Sequence, residues 1–190
     1  MPGTIVAMGG GGFSMEPRNP LLDRFVLSLA RSRNPRVAFV GTASGDSPLY
    51  AARFLRAFRR FRCRPSVLSL FQPPPGDLGD FVRAQDVLYV GGGNTRNLLV
   101  LWRDRGLDRL LRAAWRDDAV LAGISAGSIC WFEEGLSDSV KAGTLRPLPC
   151  LGFLPGSNCP HYDGEPLRRP LYRRLVGSGR MLPGLAADDG

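Results

Sequence analysis

At 190 residues, 44% hydrophobic and 22% charged, the chain has the size and composition of one globular domain, residues 1–190, with a substantial core. No run approaches the roughly 18 apolar residues that span a bilayer, and the apolar stretch near the start lacks the basic flank of a secretory signal, so no membrane partner is expected. The formal net charge of +8 raises nucleic acid as a partner, but Lys141 is the only lysine, an arginine bias that fits codon usage in a GC-rich genome better than phosphate binding. The densest basic segment, RFLRAFRRFRCR at 53–64, places arginines and phenylalanines at helical spacing and reads as a solvated helix face, so no nucleic acid is expected either.

In chain order, TIVAM at 4–8 predicts a first strand ending in the glycines of 9–12, and PLLDRFVLSLARS at 20–32 has the apolar spacing of a helix. RVAFVG at 36–41 is a second strand of the fully buried type; Asp46 or Ser47 caps the helix after it, with Pro48 in the first turn. SVLSL at 66–70 is a third strand, FQPPPGDLGD at 71–80 a loop, and DVLYVGGGNT at 86–95 a fourth strand running into glycines. NLLVLWRDRGLDRLLRAAW at 97–115 is helical, and AVLAGI at 119–124 is the fifth strand. Continuous apolar strands separated by helices predict an α/β fold, a three-layer sandwich around a mostly parallel central sheet. Ligands and catalytic groups collect at the carboxyl ends of such strands, where small residues gather here at 9–12, 91–93 and 123–127.

The segment GISAG at 123–127 matches the G-x-S-x-G turn that lifts a serine hydroxyl clear of the backbone between a strand and a helix. Ser125 is thereby a candidate nucleophile, and the amide of Ala126 a candidate oxyanion donor. Serine needs a base near neutral pH, and His161, in the polar segment GSNCPHYDGE, is the only histidine. Activity is therefore expected to fall at acidic pH, where imidazole is protonated. The four cysteines include no C-x-x-C pair, so neither a metal site nor a disulfide framework is expected, and a reduced, cytoplasmic compartment is the simplest reading.

With YVGGGNT, GISAGSICWF and CPHYDGE in this order, the chain resembles peptidase E, the aspartyl dipeptidase family of serine peptidases, to which cyanophycinases are related. The resemblance runs over nearly the whole length. It implies a glutamine-amidotransferase-like fold with serine in place of that group's cysteine, hydrolysis of dipeptides bearing an N-terminal aspartate, and no metal or organic cofactor. It also implies Ser125 as nucleophile, His161 as general base, and the amides of Gly93 and Ala126 as the oxyanion hole. Asn94 and Thr95 belong to the same motif and bind substrate or, alternatively, cap a helix.

The family's third member is an acid before a glycine near the C-terminus, normally glutamate; Asp189 before Gly190 is the match, with Asp188 beside it. Asp138 in GLSDSV matches a further family aspartate associated with activity. The family pattern is expected to continue beyond Gly190 into further strands. For the substrate's carboxylate, Arg168 and Arg169 are the candidates closest to His161 in sequence, with Asp163 and Glu165 for its ammonium group. A monomer or homodimer is expected. Two alternatives stand beside the dipeptidase: a cyanophycinase-like hydrolase of β-aspartyl bonds, and a non-catalytic α/β protein binding a small molecule or nucleotide. Against nucleotide binding, the glycine loops lack both a P-loop lysine and a clean G-x-G-x-x-G.

Overall fold

The computed structural model describes residues 3–72 and 76–190; the proline run at 73–75, inside the expected loop, lies outside the described residues. The first part alternates strand and helix: β1 (Ile5–Met8), α1 (Gly12–Met15), α2 (Leu21–Ser28), β2 (Arg36–Val40), α3 (Pro48–Phe58), β3 (Arg64–Leu68), α4 (Leu78–Arg83), β4 (Val87–Val90), α5 (Thr95–Arg105), α6 (Leu107–Arg116) and β5 (Val120–Ile124). These strands form one wholly parallel sheet of order β1-β5-β4-β2-β3.

Both faces of that sheet are covered, which is why β2, β4 and β5 are apolar at nearly every position. Successive side chains point to opposite faces. Ala38, Val40, Leu88, Val90 and Leu121 meet Leu98 and Trp102 of α5 and Leu111 of α6. Val37, Phe39, Val87, Tyr89 and Val120 meet Phe13, Val26 and the α3 residues Phe54 and Phe58. The second face is aromatic: Phe39 stacks on Phe54 at 5.0 Å, and Phe54 on Phe58 at 4.2 Å. The expected three-layer arrangement is present.

Local signals explain the helix ends. Ser47, and not Asp46, caps α3 by accepting from the Tyr50 amide, with Pro48 opening the helix. Asp46 instead ties the segment after β3, accepting from the Leu70 amide at 2.7 Å and the Ser69 hydroxyl at 2.8 Å. The single helix expected over 97–115 is two helices, because Gly106 (φ 71°) takes the left-handed conformation that ends α5. The helix expected over 20–32 stops at Ser28.

After β5 the chain enters α7 (Ala126–Ile129) and builds a second sheet from β6 (Phe132–Ser137), β7 (Arg146–Pro149), β8 (Leu154–Cys159) and, beyond α8 (Arg168–Gly177), β9 (Gly184–Ala186), in the order β7-β6-β8-β9. Its strands carry glycine, proline and serine, FEEGLS and LPGSNC for example, so no apolar periodicity announces them. Leu136, Cys159, Tyr172, Leu175 and Met181 form a small core that seats α8 on this sheet. Among the described residues, no helix is long and apolar enough to cross a membrane.

Candidate active site

Ser125 stands where β5 passes into α7, with φ 56° and ψ −109°, a conformation that costs about 1–3 kcal/mol for a residue bearing a side chain. Its surroundings hold it there. The Ser125 amide donates to the Met8 carbonyl of β1 at 3.1 Å, and its carbonyl accepts from Ser128 and Ile129. The two glycines of the motif are sterically required: a Cβ on Gly123 would lie 2.0 Å from the Gly127 carbonyl oxygen, and one on Gly127 would lie 2.5 Å from that of Val90. The turn is therefore so compact that backbone fills the space side chains would need.

Loops from both sheets converge on this serine. A cleft of about 460 Å³ is lined by Ser14 after β1, Ser44 and Tyr50 after β2, Gly92 after β4, Ser125 after β5 and His161 after β8. Every contribution comes from the carboxyl side of a strand, the position expected for a site in a parallel sheet. Gly92 is the close neighbour of Ser125, since a Cβ there would lie 3.9 Å from Ser125 Oγ. The Gly92 amide donates to the Tyr50 hydroxyl at 3.3 Å, and that hydroxyl is 2.9 Å from Ser14 Oγ. Gly93 takes φ 137°, and a Cβ would strike the Ala43 carbonyl oxygen at 2.2 Å. The amides of Gly93 and Ala126 donate to no other group among the described residues.

His161 also has a positive φ, 50°, and a largely buried side chain. Its Nδ1 lies 2.6 Å from Asp189 Oδ1. An ionised carboxylate can only accept, so this contact places the imidazole proton on Nδ1 and leaves the Nε2 lone pair free. Asp189 is seated by backbone. Its amide donates to Asp163 Oδ1 at 2.9 Å, and the tail before it is laced down by Tyr162 N to Ala187 O (3.1 Å) and Ala187 N to Cys159 O (3.0 Å). The Asp189 amide and neighbouring backbone amides hold the exposed Asp163 carboxyl below its usual range. The Asp189 carboxylate occupies the space of two missing side chains, because a Cβ on Gly10 or on Gly164 would come within 2.2 Å of its oxygens. Asp188, next to it, is exposed.

The other sequence candidates are not among the residues that line the cleft. Asn94 accepts from the Asn97 amide as the cap of α5 and donates to Ser139 O. Thr95 is buried, its amide donating to Ser139 Oγ. Asp138 is exposed just beyond β6 and is not among the residues lining the cleft. Arg168 is 5% exposed and spent on structure, donating through Nε to Glu165 and through a terminal nitrogen to the Leu136 carbonyl. Arg169 sits over the Tyr162 ring. Neither arginine lines the cleft. Instead Tyr50 and Arg53 of α3 do, and the sequence reading passed over both. The signal was available: they occupy the opening turns of the helix that follows the carboxyl end of a buried strand. Among the described residues, no group of three or more His, Cys, Asp or Glu is placed to hold a metal ion.

The sequence model of peptidase family S51 matches residues 5–190. The chain belongs to that family. It is 59% identical over 186 residues to the uncharacterized peptidase YgaJ of Bacillus subtilis strain 168, covering 98% of this chain and 80% of that protein. A second relative, the uncharacterized peptidase Lmo0363 of Listeria monocytogenes, is 24% identical over 174 residues, covering 86% of this chain and 83% of that protein. Two solved structures share the fold. A candidate peptidase E from Listeria monocytogenes EGD-e superposes with a TM-score of 0.65 at 21% identity, covering 92% of this chain and 85% of that one. A peptidase from an acI-B1 Actinobacterium superposes with a TM-score of 0.72 at 18% identity, covering 100% of this chain and 81% of that one. This S51 chain is accordingly a serine-type peptidase with the peptidase E fold.

Proposed function

We propose that this S51 peptidase is a serine exopeptidase that hydrolyses dipeptides, and short peptides, with an N-terminal aspartate. Ser125 is the nucleophile, His161 the general base and Asp189 the carboxylate that orients it. The observation that carries this reading is the pairing of His161 with Asp189 through one ring nitrogen, while the same imidazole lines the cleft of the strained Ser125.

The chemistry follows from these atoms. His161 Nε2 takes the hydroxyl proton as Ser125 Oγ attacks the peptide carbonyl. The amides of Ala126 and Gly93, free of other acceptors, stabilise the tetrahedral oxyanion, each worth roughly 3 kcal/mol of barrier. The imidazolium, stabilised by Asp189, then protonates the departing amine. Water repeats the sequence on the aspartyl ester and frees aspartate. The preference for an acidic residue is supported by the charge of the cleft, where Arg53 is the permanently charged side chain and no carboxylate is found among the described lining residues.

A panel of chromogenic substrates with N-terminal Asp, Glu, Ala and β-linked Asp tests the reading. Turnover is expected to be fastest on α-linked Asp and to fall by at least about 10⁴-fold in Ser125→Ala. A preference for the β-linked substrate would favour the cyanophycinase-like alternative. Turnover unaffected by Ser125→Ala, or none on any substrate, overturns the proposal.

A further inference from the structure

Arg53 stands out among the arginines because of where α3 puts it. The helix presents Phe54 and Phe58 to the core and leaves both Arg53 and Arg56 exposed, but only Arg53, one turn from Tyr50, lines the open cleft that holds Ser125 and His161. We propose that Arg53 is the residue that reads the acidic side chain of the substrate's N-terminal residue. The assignment rests on the aspartyl-peptide reading above and supplies its specificity determinant.

Three observations support it. The guanidinium is held in place by groups that are themselves walls of the cleft: it donates to the Ser14 carbonyl, and its Cζ lies 5.7 Å from the centre of the Tyr50 ring. That contact to Ser14 uses a terminal nitrogen, so most of its five N–H donors remain available for a planar, two-point grip on a carboxylate. It is also paired with no acid among the described residues, unlike Arg168, which Glu165 neutralises. A cation fixed by neutral partners keeps its full charge for a ligand. The same Tyr50 connects it to the reacting atoms, since the Tyr50 hydroxyl holds the Gly92 amide beside Ser125. The side chain of the residue whose carbonyl Ser125 attacks therefore has a positive wall on the α3 side of the cleft.

Two readouts on Arg53→Gln and Arg53→Lys test the assignment. In steady-state kinetics, Arg53→Gln is expected to lower kcat/KM on an N-terminal Asp substrate by roughly 10- to 100-fold, mainly through KM. The loss on the matched Ala substrate is expected to be several-fold smaller, so that the Asp-to-Ala ratio falls, and Arg53→Lys recovers part of that ratio. An unchanged Asp-to-Ala ratio overturns the assignment. Calorimetric titration of free L-aspartate into Ser125→Ala protein, with and without Arg53→Gln, separates this proposal from the peptidase reading because it needs no turnover. Binding that is lost with Arg53→Gln upholds Arg53 even if no peptide is cleaved. No aspartate binding to the Arg53 protein, or equal binding to both, overturns it.

Discussion

His161 Nδ1 and Asp189 Oδ1 lie 2.6 Å apart, joined across 28 residues by a tail that is pinned to β8 and to the His161 loop by backbone hydrogen bonds. The carboxylate is aimed by the backbone leading up to it and by its own amide, which donates to Asp163. That has direct consequences for substitutions.

Asp189→Asn keeps the size of the side chain but presents an amide that can stabilise the wrong imidazole tautomer. A fall in kcat of about 10⁴-fold is expected, with an unchanged melting temperature. Asp188→Asn, one residue away and exposed, should stay within a few-fold of the parent. Equal losses from the two variants would remove Asp189 from its proposed role.

Gly164 is exposed and has no positive φ, so alanine is tolerated by the backbone, yet its methyl group would intrude to 2.2 Å from Asp189 Oδ2. Gly164→Ala should thus displace the carboxylate without unfolding the protein. Activity is expected to drop about 10²-fold, the effect of moving a catalytic group by about an ångström, with little change in thermal stability. Full activity in this variant would show that the seat of Asp189 is not a tight one.

The Asp23 carboxyl is buried in α2 and pushed up to about 6 by burial, partly offset by hydrogen bonds from the Tyr89 hydroxyl and the Phe13 amide. A carboxyl whose pKa is higher in the folded than in the unfolded chain binds protons more tightly when native. Its effect on stability is therefore nil below about pH 4, grows more unfavourable as pH rises through about 6, and levels off above at on the order of 3 kcal/mol. Asp23→Asn, whose side-chain oxygen can accept from the same donors, should match the parent in melting temperature near pH 4. By pH 7 to 8 it should exceed the parent by roughly 6–12 °C. A constant difference between the two proteins across that range would contradict this account.

The cysteines should be inert. Burial pushes the Cys159 thiol up to about 11 and the Cys150 thiol up to about 12, and it also raises that of Cys130. For Cys159 this lowers the reactive thiolate fraction about 100-fold relative to a free thiol. Peptidase activity is expected to survive iodoacetamide and to be lost to a serine-directed sulfonyl fluoride. Inactivation in step with alkylation of one cysteine would point to a different nucleophile.

How much of this was legible beforehand depends on the range of the signal. The elbow at 123–127 carries its requirement locally, because glycines two positions either side of a serine reflect a backbone so crowded that no Cβ fits. The strands of the parallel sheet are legible for the same reason, each being a short run buried on both faces. The second sheet is not, since strands such as LPGSNC draw their stability from neighbours far along the chain. Arg53 was obscured by composition: among so many arginines, its one local mark is its place in the opening turns of the helix after a buried strand, and the lining of the cleft is what singles it out.

From the order of its residues alone, this chain determines an alternating α/β core, a strained serine turn and a single histidine to serve it, because each is encoded within a few neighbouring positions. Only the tertiary structure decides that Asp189 and not Asp138 meets the imidazole, and that Arg53 rather than Arg168 enters the cleft. Both outcomes turn on which distant segments share a strand end. That is set by burial of the whole core and by backbone pairing across the sheets, not by spacing along the chain.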